Sequence, residues 1–102
     1  MADQTQRSAR EAFGGGLAVI TGAGSGIGAG LARRAAELGM RVIVADISEA
    51  SAQAVAAEIS AAGGEAHAMV VDVSRADLID AFAARVHERF GAVRLLVNNA
   101  GI

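Results

Sequence analysis

The sequence predicts an α/β fold in which four strands form one parallel sheet and three helices connect them. Short apolar runs of strand length alternate with longer amphipathic segments, and glycines mark the ends of those segments. Strict strand–helix alternation implies a parallel sheet whose helical crossover connections are right-handed. The chain of 102 residues, 53% of them hydrophobic and 20% charged, has the size and composition of one small domain.

The first strand and the first helix are expected near the start of this domain. Leu17–Thr21 is a continuous apolar run, which suits a strand buried on both faces. A helix is expected over residues 26–38, because apolar residues recur there at three- and four-residue spacing and Gly39 stands where a helix commonly ends. The polar residues 1–15 are expected to form a flexible tail, followed by an ordered domain over residues 16–102. The buried stripe of the helix is expected to consist of Ile27, Leu31, Ala35 and Leu38.

The second and third strands flank a second helix. Arg41–Asp46 is a run rich in β-branched residues, and residues 66–71 form the next strand. Between them, Ser48 can cap a helix over residues 50–62, which Gly63 ends. The buried stripe of this helix is expected to consist of Ala52, Val55, Ala56 and Ile59.

A third helix and a fourth strand complete the pattern. Residues 74–77, Ser-Arg-Ala-Asp, have the form of a capping box, and Gly91 ends the helix that follows. The fourth strand is expected over residues 94–97 and leads into Asn-Asn-Ala-Gly-Ile at residues 98–102. The third helix is expected to bury Leu78, Phe82, Val86 and Phe90.

Residues 21–28, between the first strand and its helix, read Thr-Gly-Ala-Gly-Ser-Gly-Ile-Gly. A turn without Cβ atoms can approach a pyrophosphate closely, and the phosphates then lie on the free N–H groups at the positive end of the helix. The strict G-x-G-x-x-G spacing fails at Ile27, but T-G-x-x-x-G-x-G is present after a strand and before a helix. This context favours a doubly wound Rossmann fold, with strand order 3-2-1-4 for this portion. The alternative is that the glycines serve strand–helix packing alone.

Asp46 ends the second strand, 18 residues after Gly28. At that position an acidic side chain can accept hydrogen bonds from the adenosine ribose of a dinucleotide. A 2′-phosphate about 4 Å away would meet roughly 4 kcal/mol of repulsion at an effective dielectric constant near 20, so NAD is expected to be preferred over NADP. Neither Ser25 nor Ile47 supplies a compensating positive charge. The alternative role for Asp46 is to cap the helix that follows Ser48.

Two further polar segments stand at strand ends. Asp72 and Val73 directly follow the third strand, where the carboxylate could accept from an adenine amino group and the valine could pack near the ring. Capping of the next helix is the competing role. Asn98, Ala100 and Gly101 follow the fourth strand at the same edge of the sheet. Asn98 could present its backbone carbonyl to a cofactor, and the two small residues would admit a ribose, although such a run also forms ordinary turns.

These four features, each at a strand end, resemble the short-chain dehydrogenase/reductase family over residues 16–102. The resemblance implies an oxidoreductase that transfers a hydride between NAD and an alcohol or carbonyl substrate. Thr21 opens the family's glycine-rich motif. By resemblance, the cofactor phosphates lie at Gly22, Ser25, Gly26, Ile27 and Gly28, the adenosine ribose at Asp46 and Ile47, the adenine at Asp72 and Val73, and the middle of the cofactor at Asn98, Ala100 and Gly101.

The family's catalytic residues are a serine, and a tyrosine four residues ahead of a lysine, in the half of the fold after the Asn-Asn-Ala-Gly run. The lysine lowers the pKa of the tyrosine, which is the acid/base. This chain contains no tyrosine and no lysine. We therefore expect no catalysis from it alone and interpret it as a half-domain truncated after the fourth strand. That strand would be an apolar sheet edge, so a marginally stable, aggregation-prone or oligomeric product is expected.

Composition argues against several other classes of protein. A net charge of −2 with scattered arginines disfavours nucleic acid or an anionic membrane as a partner. The absence of cysteine and the wide spacing of His67 and His87 disfavour a zinc or redox site. The sequence has no apolar run of signal-peptide or membrane-spanning type, so a cytoplasmic location is expected. The alternatives to a dehydrogenase fragment are a stand-alone NAD-binding or subunit-pairing protein without catalysis and, with a poorer match, a methyltransferase.

Overall fold

A computed structural model describes residues 14–99 and confirms the predicted fold. The four strands form one parallel sheet in the order β3-β2-β1-β4, and one helix follows each of the first three. The elements are β1 (Leu17–Thr21), α1 (Gly26–Glu37), β2 (Arg41–Asp46), α2 (Glu49–Ala61), β3 (Glu65–Val70), α3 (Ala76–Phe90) and β4 (Val93–Asn98). Each lies within about a residue of its predicted bounds.

The sheet has a separate core on each face. Every residue of β1 is buried because the strand has a neighbour on both sides and helices over both faces. Alternate residues of β1 point to opposite faces, so Ala18 and Ile20 pack under α1 and α2, while Leu17 and Val19 pack under α3. The predicted buried stripe of α2 is confirmed at all four positions. The third helix, as the crossover rule requires, covers the face opposite to α1 and α2.

The predicted buried face of α1 is wrong at its largest residues. Ile27 is 76% exposed and Leu31 is 40% exposed, and Leu38 is a half-buried cap residue beyond the helix. Bulky side chains would hold the helix away from the sheet, whereas residues with little side-chain volume allow a close approach. The buried residues of α1 are accordingly Gly28, Ala29, Ala32 and Ala35.

The predicted capping box at the start of α3 is also wrong. The N-cap residue is Arg75, whose side chain makes no capping hydrogen bond. Ser74 lies one residue before that N-cap, and its hydroxyl donates to Asp72 Oδ1, 2.6 Å away. Of the predicted stripe, Phe82 and Val86 are buried, but Leu78 stays partly exposed. By contrast, the Ser48 cap on α2 is confirmed, because its hydroxyl accepts from the Ser51 N–H at 3.3 Å.

Of the predicted tail, residues 1–13 lie outside the described residues. Gly15 donates its N–H to the Gly39 carbonyl at 2.8 Å, which ties the chain before β1 to the turn before β2. Within residues 14–99, no helix is both long enough and apolar enough to cross a membrane.

Candidate nucleotide-binding site

The glycine-rich turn joins β1 to the N-terminus of α1 at the carboxyl edge of the sheet. Gly22 has φ 65° and Gly26 has φ 57°, both in the left-handed region that glycine enters without strain. Ser25 is the N-cap residue, but its side chain makes no capping hydrogen bond, and the first turn of α1 carries no acidic residue. The first N–H groups of α1 therefore combine with the positive end of the helix dipole to offer donors to an anion.

Gly28 sets how closely α1 packs under this turn. A Cβ built on Gly28 would overlap the Gly22 carbonyl oxygen and would lie 2.7 Å from Asn99 Nδ2. Any side chain at this position would push the helix and the turn apart. The packing role of the glycines, which the sequence left as an alternative, therefore exists here alongside the anion-binding geometry.

Asp46 holds two backbone segments at the end of β2. Its Oδ2 accepts from the Gly24 N–H at 2.9 Å, and its Oδ1 accepts from the Ser48 N–H at 2.9 Å. Gly24 can come this close only without a side chain, since a Cβ there would lie 2.6 Å from Ser51 Cβ. The carboxylate thus fixes the glycine-rich turn and the approach to α2 in one geometry.

The end of β4 is tied to the same turn. The Thr21 hydroxyl donates to Asn98 Oδ1 at 3.0 Å, and Asn99 Nδ2 donates to the Gly22 carbonyl at 3.3 Å. These bonds join the ends of two neighbouring strands, β1 and β4, which are far apart in sequence. Ala100 and Gly101, which the sequence also assigned to the site, lie outside the described residues.

Asp72 lies two residues after the end of β3, at the same carboxyl edge of the sheet. Its Oδ1 accepts from both the hydroxyl (2.6 Å) and the N–H (3.0 Å) of Ser74. The Ser74 hydroxyl and then its backbone N–H hold the pKa of Asp72 below its ordinary value, with a smaller contribution from the Arg75 charge and some opposition from desolvation. Asp72 therefore carries its charge at neutral pH.

A shallow cavity of about 260 Å³ brings three of the sequence motifs together. Gly22 comes from the glycine-rich turn, Asp46 and Ile47 from the end of β2, and Asp72 and Val73 from the segment after β3. The carboxyl ends of three neighbouring parallel strands meet there, as expected for a ligand site in a doubly wound sheet.

Two residues of this arrangement were missed by the sequence analysis. Gly24 donates to Asp46, and Asn99 donates to Gly22. Gly24 occupies a variable position of T-G-x-x-x-G-x-G, and its signal was only the excess of glycine in the turn. Asn99 could have been suspected because two consecutive asparagines at a strand end project to different sides, so that only one can bond Thr21.

The family model of short chain dehydrogenases matches residues 16–102. The chain belongs to the short-chain dehydrogenase family. It is 48% identical over 90 residues to the protein named "Probable oxidoreductase EphD" of Mycobacterium tuberculosis, with 88% of this chain covered. The aligned part is 15% of that relative.

Two solved short-chain dehydrogenases have closely similar folds. A metagenomic short-chain oxidoreductase in complex with NADP superposes with a TM-score of 0.84 at 46% identity, over 88% of this chain and 41% of the other. A short-chain dehydrogenase/reductase from Burkholderia phymatum in complex with NAD superposes with a TM-score of 0.78 at 42% identity, over 82% of this chain and 30% of the other. The chain therefore spans well under half the length of these relatives.

Proposed function

We propose that this chain forms the cofactor-binding portion of a short-chain dehydrogenase and that the cofactor is NAD. The observation that carries the proposal is the convergence of the glycine-rich turn, Asp46 and Asp72 around one cavity at the carboxyl edge of the sheet. A nicotinamide dinucleotide bound there would accept or supply the hydride. The chain's own residues would bind and orient it.

The phosphates would lie on the glycine-rich turn and the N-terminus of α1. The backbone N–H groups there have no capping side chain competing for them, and Gly26 leaves open space where a side chain would stand. The expected phosphate site consists of Gly22, Ser25, Gly26, Ile27 and Gly28. Of these, Gly28 acts by allowing close packing, since a Cβ on it would point at Gly22 and Asn99.

The adenosine would lie between the ends of β2 and β3. Each carboxylate oxygen of Asp46 accepts one backbone N–H, which leaves acceptor capacity on both oxygens for ribose hydroxyls. Those backbone bonds also orient the carboxylate before the cofactor arrives. Ile47 and Val73 offer apolar surface to the adenine, and Asp72 offers an acceptor for its amino group.

Discrimination between NAD and NADP would depend on the charge of Asp46. A 2′-phosphate about 4 Å from the carboxylate meets roughly 4 kcal/mol of repulsion at an effective dielectric constant near 20. Asp46 is only half-buried, so solvent and salt will reduce this value. We expect at least a tenfold preference for NAD, which needs only about 1.4 kcal/mol.

The middle of the cofactor would pass the end of β4. Thr21 holds the Asn98 side chain, and the backbone carbonyl of Asn98 would be the group offered to the cofactor. By resemblance to the family, Ala100 and Gly101 would admit the nicotinamide ribose. The chain has no tyrosine and no lysine, so we propose that these 102 residues bind the cofactor without turnover.

Titration with reduced cofactor tests this proposal directly. The protein has no tryptophan or tyrosine, so changes in the emission of NADH report cofactor binding without interference from these fluorophores. We expect NADH to bind at least about tenfold more tightly than NADPH at equal ionic strength. In Asp46→Asn this ratio should approach one. Asp80→Asn, which neutralises an exposed carboxylate on α3, should leave the ratio unchanged. Equal affinities in the unmodified protein would overturn the assignment of NAD.

A second candidate is a dinucleotide-binding subunit that pairs with another chain and does not catalyse. The apolar surface at β4 favours it, because Leu96 is 66% exposed there. The mass of the native product in its source cells separates the two candidates. A product of 10.2 kDa, the mass of this chain, would favour the pairing subunit, whereas one several times larger would favour a complete dehydrogenase.

A further inference from the structure

Ser74 lies at the cavity beside Asp72 and holds one oxygen of its carboxylate. Asp72 Oδ1 accepts from the Ser74 hydroxyl at 2.6 Å and from the Ser74 N–H at 3.0 Å. The bond from the hydroxyl has the length of a charge-assisted O–H···O⁻ hydrogen bond. Within residues 14–99, both hydrogen bonds to this carboxylate end on Oδ1. Oδ2 therefore keeps its acceptor capacity for a ligand.

The Ser74 hydroxyl serves this carboxylate and not the helix that follows. That helix, α3, begins at Ala76, with Arg75 as its N-cap residue. The Arg75 guanidinium forms an ion pair with Asp77 at 2.9 Å. In the part of the chain that the structure describes, no ion pair engages the Asp72 carboxylate, so Ser74 is the residue that orients it.

A carboxylate with one oxygen held in this way can distinguish between purine bases. An ionised carboxylate only accepts hydrogen bonds. The exocyclic amino group of adenine can donate to Asp72 Oδ2, whereas hypoxanthine carries a carbonyl oxygen at the same position, which Oδ2 would repel. Asp72 is only half-buried, so water competes for both groups and the resulting preference is moderate.

We propose that Ser74 is a positioning residue for base recognition, through which the site selects an adenine dinucleotide over one whose base carries a carbonyl oxygen in place of the amino group. By holding Oδ1, Ser74 limits the rotation of the Asp72 carboxylate and leaves Oδ2 as the oxygen offered to the base. The inference rests on the proposed function, which puts the adenosine between the ends of β2 and β3. It adds a second selection to that function, since Asp46 discriminates at the ribose and the Ser74–Asp72 pair discriminates at the base.

Titration of the full chain with two reduced dinucleotides tests the inference. NADH and reduced nicotinamide hypoxanthine dinucleotide carry the same fluorescent dihydronicotinamide and differ only in the base. We expect NADH to bind at least about fivefold more tightly. In Ser74→Ala this ratio should fall below about twofold, whereas Ser74→Thr keeps the hydroxyl and should retain the ratio. Asp72→Asn should bring the ratio close to one, because an amide can accept from adenine or donate to hypoxanthine.

The controls separate this inference from the proposed function. Ser60→Ala removes an exposed hydroxyl on α2 and should leave the base ratio unchanged, and circular dichroism checks that each variant is folded. The preference for NADH over NADPH should persist in Ser74→Ala, since the hydrogen bonds to Asp46 come from Gly24 and Ser48. An unmodified chain that binds both bases equally, or a Ser74→Ala variant in which both affinities fall by the same factor, would overturn the base selection and leave cofactor binding intact. If neither dinucleotide binds, the proposed function is overturned together with this inference.

Discussion

The Cα of Gly28, in the first turn of α1, lies so close to the Gly22 carbonyl that a methyl group on Gly28 would overlap the oxygen. Asn99 Nδ2 approaches the same point from β4 and donates to that carbonyl at 3.3 Å. The glycine-rich turn, the helix and the end of β4 therefore meet at one place. The shape of the cofactor-binding edge depends on this contact.

Alanine substitutions at two glycines of α1 should have opposite effects. Gly28→Ala should lower the free energy of unfolding by about 1–3 kcal/mol, because the added methyl group must displace the backbone of the turn, and it should abolish measurable NADH binding. Gly30→Ala is the control in the same helix. Its Cβ would meet nothing within 4 Å, so helix propensity should raise stability by about 0.5–1 kcal/mol. Urea unfolding measures both, and equal effects would contradict the close contact at Gly28.

Removing the Asn99 amide should loosen the glycine-rich turn. Asn99→Ala loses one hydrogen bond and should lower the free energy of unfolding by about 0.5–1.5 kcal/mol, with weaker NADH binding. Asn99→Asp should cost more at neutral pH, since a carboxylate oxygen would then face the Gly22 carbonyl. Gln53→Ala, on the exposed surface of α2, serves as the control. If Asn99→Asp were as stable as the unmodified protein, the bond to Gly22 would not be important.

The orientation of α1 can be tested by neighbouring substitutions. Leu31→Ala should change the free energy of unfolding by less than about 0.5 kcal/mol, because Leu31 is largely outside the core. Ala32→Leu should lower it by about 1–3 kcal/mol, because Ala32 is fully buried against the sheet. Alanine and leucine have similar helix propensities, so the difference reports packing. A large loss from Leu31→Ala would favour the helix face that the sequence predicted.

The lowered pKa of Asp72 makes a prediction about pH. Because the pKa is lower in the folded protein than in the unfolded chain, the Asp72 carboxylate favours folding above its ordinary pKa of about 3.9, and this contribution is lost as the pH falls through the folded value. Ser74→Ala removes the largest cause and should raise the Asp72 pKa toward its ordinary value. An NMR titration of the carboxyl carbon measures it, with Ser60→Ala on α2 as the control. An unchanged Asp72 pKa in Ser74→Ala would show that the hydroxyl does not stabilise the charge.

Most of the fold could be predicted from the sequence because its local signals agreed. The apolar runs of β1 and β2, the Ser48 cap and the stripe of α2 all indicate the same arrangement that the structure has. The buried face of α1 could not be predicted from the spacing of apolar residues, because that method assigns the largest apolar side chains to the core. There the close contact between helix and sheet selects Gly28 and alanines, and it leaves Ile27 exposed.

The candidate site was predictable in its outline but not in its internal bonds. Motifs at strand ends located Asp46 and Asp72, because parallel strands bring their carboxyl ends to one edge. The bond from Asn99 to Gly22 joins residues 77 positions apart and leaves no local pattern. Ser74 looked like a helix cap, but the helix begins one residue later, with Arg75 as its N-cap, and the Ser74 hydroxyl donates to Asp72.

An NMR titration of the ¹⁵N-labelled chain with NAD tests the proposed site most directly. Saturable shifts are expected in the amide signals of Gly22, Gly24 and Gly26, with further shifts near Asp46 and Asp72, because the cofactor would lie along the carboxyl edge. The amides of Gly63 and Gly64, which precede β3 at the amino edge, should not move. The absence of saturable shifts at millimolar NAD, or shifts centred on Gly63 and Gly64, would contradict a cofactor site built by the glycine-rich turn and Asp46.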